Sequence, residues 1–122
     1  MSRFYNHDGE QIPMMEWARL LEMVEYRVVA YDEVGVSVKV STIWLGLDHG
    51  MGEIFGGPPL IFETMVFTFR DEPYTFGDHE YWWEGVEQYR YSTYEQAIDG
   101  HAKILAMVQV LEGVETHNEA PQ

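Results

Sequence analysis

The sequence predicts an α+β fold, in which a small antiparallel sheet of about four strands carries two amphipathic helices packed on one face. Stretches typical of strands occupy the middle of the chain, and stretches with helical periodicity precede and follow them. Both helices must bury an apolar stripe, and one face of the sheet offers the surface for it. We expect residues 1–113 to form this single domain and residues 114–122 to form a flexible C-terminal tail.

The N-terminal segment predicts a small hairpin followed by the first helix. Asp8 and Gly9 favour a tight turn with positive φ, so residues 3–12 are expected to fold back on themselves. Pro13 is typical of a helix first turn. The apolar residues after it recur at helical spacing, namely Trp17, Leu20, Leu21 and Val24.

The middle of the chain predicts the strands of the sheet. Residues 26–34 are rich in β-branched and aromatic side chains, and Gly35 turns the chain after them. Residues 36–45 alternate strictly, so one face should carry Val36, Val38, Val40, Thr42 and Trp44. Residues 60–69 are apolar on both faces, which is typical of a strand in the interior of a sheet.

The remaining segments predict an excursion, a short strand and a closing helix. We interpret residues 71–85 as an irregular excursion with an exposed aromatic cluster, and residues 86–91 as a short strand. Ser92 and Glu95 have the spacing of a capping box, which begins a helix.

Two residues of the closing helix call for an explanation. His101 lies on its apolar face, where a buried, hydrogen-bonded histidine is expected rather than a ligand or a general base. Gly100 is unfavourable inside a helix by about 1 kcal/mol relative to alanine. It indicates either a close approach to a strand or a kink.

Composition and charge restrict the partners of the chain. There are 21 acidic residues against 7 basic ones, for a net charge of −14, and this surface repels phosphate backbones. We therefore expect no direct nucleic-acid binding. The charge leaves three interpretations: solubility, a decoy that imitates nucleic acid, or a cationic partner.

Cysteine usage and hydropathy point to the compartment. The chain has no cysteine, which excludes disulfides, Cys-ligated zinc and a cysteine nucleophile. Its apolar runs are shorter than the roughly 20 residues of a membrane span, and the N-terminal residues lack the apolar stretch of a signal peptide. A cytoplasmic protein without membrane association is expected.

The glycine-rich segment "GLDHGMGEIFGGPPLIFET" predicts a ligand site. Its glycines would let backbone amides approach a ligand, and we expect residues 46–59 to arch over the end of the sheet. The candidate ligand-binding residues are Trp44, Asp48, His49 and Glu63. A carboxylate at position 63 is costly unless it is paired, so the alternatives are a structural one, an edge position or an ion pair with a nearby base, and a functional one, a pocket carboxylate. The bases that could pair with it are Lys39, Arg70 and Arg90.

Aromatic side chains predict a second site. Tyr81, Trp82 and Trp83 lie among acidic residues, and such side chains are typical anchors of protein interfaces. The alternative is that part of the cluster covers the core. Asp and His are neighbours at several positions, but no fixed metal-ligand spacing or catalytic signature occurs. We predict no catalytic residue, metal or cofactor.

Three stretches together carry a family resemblance: "STIWLGLDH" at 41–49, "PPLIFETMVF" at 58–67 and "YRYSTYEQAIDGH" at 89–101, with "MEWARLLE" upstream. They resemble a family of small acidic proteins of tailed bacteriophages and actinobacterial prophages. The resemblance covers more than half of the chain. It implies a phage accessory protein in the host bacterial cytoplasm, and it carries over no catalytic residue.

Three function classes follow. The favoured hypothesis is a non-enzymatic binding protein that inhibits or sequesters a host protein or a small-molecule ligand during host takeover or anti-defence. The alternatives are an acidic nucleic-acid mimic that blocks a host DNA- or RNA-binding protein, and a small metal-dependent enzyme using Asp, His and Glu. A sheet with few strands leaves an open edge, so a homodimer is a further alternative.

Overall fold

The fold consists of a four-stranded sheet, a small hairpin and three helices in the described part of the chain. The computed structural model describes residues 3–48 and 56–113. The elements are β1 (Phe4–Tyr5), β2 (Gln11–Ile12), α1 (Met14–Leu21), α2 (Val24–Arg27), β3 (Val28–Val34), β4 (Val38–Trp44), β5 (Phe62–Phe76), β6 (His79–Tyr91) and α3 (Tyr94–Leu111). Strands β3-β4-β5-β6 form the antiparallel sheet in that order, and β1 pairs with β2. The predicted α+β class is confirmed.

One face of the sheet packs against α3. Alternation along β4 buries its residues at 38, 40, 42 and 44, as predicted. Residues of β5 continue this face through the pairs Thr42–Thr64 and Trp44–Phe62. Val36, predicted on the same face, is 95% exposed because it lies before the strand begins.

The core has two apolar parts along that face. The first contains Leu20, Trp44, Ile61, Phe62 and Ala97, so α1 and α3 meet at the Trp44 end of the sheet. The second contains Val34, Val38, Val40, Val66 and Val108. Ala97, His101 and Val108 are the buried residues of α3.

The helix boundaries shift slightly from the sequence prediction. The first helix ends at Leu21, and Val24, predicted on its apolar stripe, begins α2 and is 57% exposed. The capping box of α3 uses Thr93 and Gln96, one residue after the predicted pair. Its chemistry is the predicted one, since the hydroxyl of Thr93 accepts from the backbone amide of Gln96.

The segment 71–85 lies in a β-hairpin that contains a bulge, and its prediction as an irregular excursion is wrong. β5 and β6 continue far past the predicted ends and reverse at Gly77 and Asp78. Gly77 has a φ of 64°, as the first central residue of a two-residue type II′ turn requires. The signal in the sequence is this Gly-Asp pair between two aromatic stretches.

The close packing of Gly100 against Tyr91 can be tested by substitution. A methyl group added there would lie 2.3 Å from the hydroxyl oxygen of Tyr91. We expect Gly100→Ala to lower the free energy of unfolding, because overpacking costs about 1–3 kcal/mol and exceeds the gain in helix propensity of about 1 kcal/mol. Urea denaturation measures the change.

Gly57→Ala is the matched control, since nothing lies within 4 Å of its added methyl and its φ is not positive. It should be neutral or slightly stabilising. A Gly100→Ala variant as stable as the wild type would contradict the close packing.

Candidate functional site

Trp44 belongs to the core rather than to an open site. Its side chain is fully buried, and its indole N–H donates to the backbone oxygen of Tyr5 at 3.0 Å. Gly46 packs against the same ring, where an added Cβ would lie 2.4 Å away. Trp44 therefore tethers the N-terminal hairpin to β4.

Glu63 lies on the opposite face of the sheet from Trp44. Trp44 pairs with Phe62 and Ile43 pairs with Glu63, so the pleat sends the two predicted site residues in opposite directions. The structure therefore does not bring these two residues together on one face of the sheet, and their part in ligand binding stays a prediction. The carboxylate of Glu63 accepts hydrogen bonds from Arg90 Nε at 3.2 Å and from the side-chain amide of Gln88. Of the two alternatives for this carboxylate, the structure contains the ion pair.

The other two residues of the predicted ligand set lie at the border of the described chain. Asp48 is half-buried and follows Leu47, which forms an isolated bridge with Phe4. His49 lies outside the described residues, so its approach to Glu63 stays a prediction.

A chain of polar side chains crosses the core between α3 and the sheet. His101, 5% exposed, places Nε2 2.8 Å from a carboxylate oxygen of Asp32 and Nδ1 2.7 Å from the hydroxyl of Thr42. The hydroxyl of Thr42 lies 2.5 Å from that of Thr64. The prediction of a buried, hydrogen-bonded histidine is confirmed.

The hydrogen-bonded series Thr42–His101–Asp32 has the order of a Ser-His-Asp triad, with a threonine in the position of the nucleophile. Thr42 and Thr64 are both 0% exposed, so no substrate reaches either hydroxyl. With neutral histidine, Nε2–H donates to Asp32 and Nδ1 accepts from Thr42. The arrangement satisfies buried polar groups and joins α3 to β3 and β4.

Removing one link in this chain should destabilise the fold. Thr42→Val keeps the shape of the side chain but leaves His101 Nδ1 and the Thr64 hydroxyl without their shared partner. We expect a loss of about 1–3 kcal/mol in the free energy of unfolding, measured in urea.

The same substitution at exposed Thr75 is the control, and it should change stability by less than about 0.5 kcal/mol. Equal stability of the Thr42→Val variant and the wild type would rule out a structural role for the polar chain.

His7, in the turn of the N-terminal hairpin, packs against Tyr26 of α2. Its ring stacks on Tyr26 with centroids 3.7 Å apart, and Nε2 lies 2.8 Å from the backbone oxygen of Tyr26. Because a carbonyl only accepts, Nε2 carries the proton. Burial lowers the pKa of His7 below 6.5, although this hydrogen bond and the charge of Asp8 act in the opposite direction.

The lowered pKa sets the direction of a pH effect. The unfolded chain binds a proton at His7 more readily, so the stability contributed by neutral His7 is complete above pH 6.5 and is lost as the pH falls below it. NMR titration of the ring protons should give a midpoint below 6.5. A midpoint at or above 6.5 would refute the burial effect, and His7→Gln should remove this part of the pH dependence of stability.

The β5–β6 hairpin projects beyond the rest of the sheet. The last pair between β4 and β5 is Val38–Thr68, and Phe69 N–H still donates to the backbone oxygen of Ser37. Beyond this point the residues of β5 pair only with β6, from Phe69–Trp83 to Phe76–His79. We call residues 69–84 the hairpin arm. Phe69 pairs with Trp83 and Tyr74 pairs with Tyr81, which leaves residues 70–73 opposite Trp82 alone. Such a bulge bends a strand and redirects side chains.

Aromatic rings cluster around this bulge. Phe69 stacks on Trp82 with centroids 5.5 Å apart and meets Trp83 edge-on at 5.2 Å. Tyr74 stacks on Tyr81 at 5.2 Å. These ring contacts connect the two strands of the arm, while much of the ring surface stays in water, since Tyr81 is 40% and Trp82 39% exposed.

These rings line a groove. Its volume is about 530 Å³, and its lining residues are Phe69, Glu80, Tyr81, Trp82 and Trp83. The size lies within the range of ligand and peptide sites. The three predicted partner-binding aromatics therefore converge here, together with Phe69 and Glu80, which the sequence did not identify. The pairing across the Gly77-Asp78 turn was the signal that would have located them.

Two basic side chains lie on aromatic faces at the arm. Lys39 Nζ lies 3.9 Å from the centroid of the Trp83 ring, and the guanidinium carbon of Arg70 lies 5.2 Å from that of Tyr74. Arg70 also contacts Glu84 at 2.6 Å. The Lys39 contact joins the base of the arm to β4.

Comparisons with known proteins give no match that would indicate what the site does. No family model, no curated protein and no solved structure matches the chain. Within residues 3–48 and 56–113, each helix is too short or too polar to cross a lipid bilayer. Over the same residues, no group of three or more His, Asp or Glu side chains is placed to hold a metal ion.

Proposed function

We propose that this chain is a non-enzymatic binding protein whose hairpin arm docks on a protein partner. The observation that carries the proposal is the exposed aromatic groove on a hairpin that extends beyond the sheet. Large apolar side chains exposed together are typical of interaction sites. Trp and Tyr are also the residues that most often dominate binding energy at protein interfaces.

The exposed surface of the arm supports docking over a role in the core. Its exposed aromatic residues are 39–77% accessible, namely Phe69, Tyr74, Phe76, Tyr81 and Trp82. Burying such rings against a partner removes apolar area from water at roughly 25 cal/mol per Å². Their mutual stacking already fixes them, so docking loses little side-chain freedom.

Charge favours a basic partner over a second copy of the chain. The arm contains five acidic residues and one arginine, within a protein of net charge −14. Two such arms repel each other, whereas a basic surface is attracted and steered toward the arm. A homodimer through the arm is disfavoured on this ground.

The resemblance to acidic phage and prophage proteins supports a biological setting for this binding. In that setting the chain is an accessory protein in the cytoplasm of the host bacterium, and it inhibits or sequesters a host protein. Thr42 is buried and Glu63 is paired with Arg90, which favours a structural role over a catalytic one for these two residues.

A capture experiment tests the proposal. Wild type, a Tyr81→Ala/Trp82→Ala variant and a Leu111→Ala control are immobilised and exposed to actinobacterial lysate. We expect a protein that is retained by wild type and control and lost by the arm variant. After its purification, calorimetry should give a Kd at least about tenfold weaker for the arm variant, because two anchor side chains are removed.

The control residue, Leu111, is 72% exposed on α3 and outside the arm. Retention that is equal for all three proteins would contradict docking by the arm. If wild type and the arm variant retain the protein equally and added salt abolishes the retention, the nucleic-acid mimic would be supported instead.

A further inference from the structure

We propose that the arm's groove accepts an arginine side chain from a basic segment of the partner. This inference rests on the proposed function and specifies the chemistry that the groove recognises. The groove is bounded by four aromatic rings and one carboxylate, Glu80, and its lining contains no lysine or arginine. A guanidinium can stack on such rings while its N–H groups reach the carboxylate.

Two contacts at the arm already place a basic side chain on an aromatic ring. Lys39 Nζ lies over the Trp83 ring at 3.9 Å, and the guanidinium of Arg70 lies over Tyr74 at 5.2 Å while it pairs with Glu84. At Arg70 an aromatic ring thus already lies beside a cation that is paired with an acid. Phe69, Tyr81 and Trp82 present the same combination with Glu80, but in an open groove.

Size and charge support an arginine within a peptide. About 530 Å³ exceeds the volume of one side chain, so the groove has room for the arginine and the residues beside it. The acidic surplus of the arm raises the local concentration of cationic segments. A purely apolar occupant would leave the Glu80 carboxylate to be desolvated without compensation.

A pair of synthetic peptides distinguishes specific binding of an arginine side chain from general charge attraction. The probe is a short peptide with one arginine between small neutral residues, and its match carries citrulline, which keeps the shape of arginine without its charge. Binding is followed by calorimetry and by the indole N–H resonances of the protein at physiological salt. We expect the arginine peptide to bind at least about fivefold more tightly than the citrulline peptide.

Protein variants locate the binding, and the substitutions of apolar and aromatic residues leave the net charge unchanged. Trp82→Ala and Tyr81→Ala should each weaken the arginine peptide between about 3-fold and 30-fold. Leu111→Ala is the control, since Leu111 is 72% exposed on α3 and lies outside the arm, and it should leave the affinity unchanged. Glu80→Gln should reduce the preference for arginine over citrulline.

The outcomes are distinct. Equal affinity for the two peptides, or no binding of either at millimolar concentration, would overturn the arginine inference, while arm-dependent capture of a protein would still support the proposed function. Equal affinities for wild type, Trp82→Ala and Tyr81→Ala would show attraction by total charge only, and would also overturn the inference. Dispersed NMR spectra of each variant confirm that loss of binding is not loss of fold.

Discussion

The pleat of β4 and β5 is the constraint on which the rest of the structure depends. Neighbouring residues of a strand point to opposite faces, so one choice of register places Trp44, Phe62 and Thr64 toward α3 and Glu63 away from it. A slip of one residue would move apolar side chains to the other face and the carboxylate into the core. The apolar face, the ion pair of Glu63 and the direction of the arm all follow from this register.

The polar chain from Asp32 through His101 to Thr42 reinforces the same register. Apolar contacts alone tolerate small displacements, whereas hydrogen bonds of 2.7 and 2.8 Å to the two ring nitrogens do not. Gly100 also helps to position α3, because the absence of a side chain there lets the helix approach Tyr91 closely. The helix is thus positioned over the sheet by both shape and hydrogen bonding.

Periodicity was sufficient to predict most of the fold, but not the contacts between distant residues. The alternation of β4, the interior place of β5 and the burial of His101 follow from local patterns, and the structure contains all three. The partner of Glu63 could not be derived, because three bases were available and only the strand register selects Arg90. The arm was mistaken for an irregular segment because acids, aromatics and Pro73 obscure its alternation.

None of the residues from 69 to 84 is buried, so the arm adds nothing to the interior of the domain. The residues that form the core and the exposed aromatic residues of the arm are consequently separate sets. Substitutions at the arm's exposed positions are therefore expected to change the stability of the domain little. Sequence change in the arm is thereby uncoupled from the packing of α3 on the sheet.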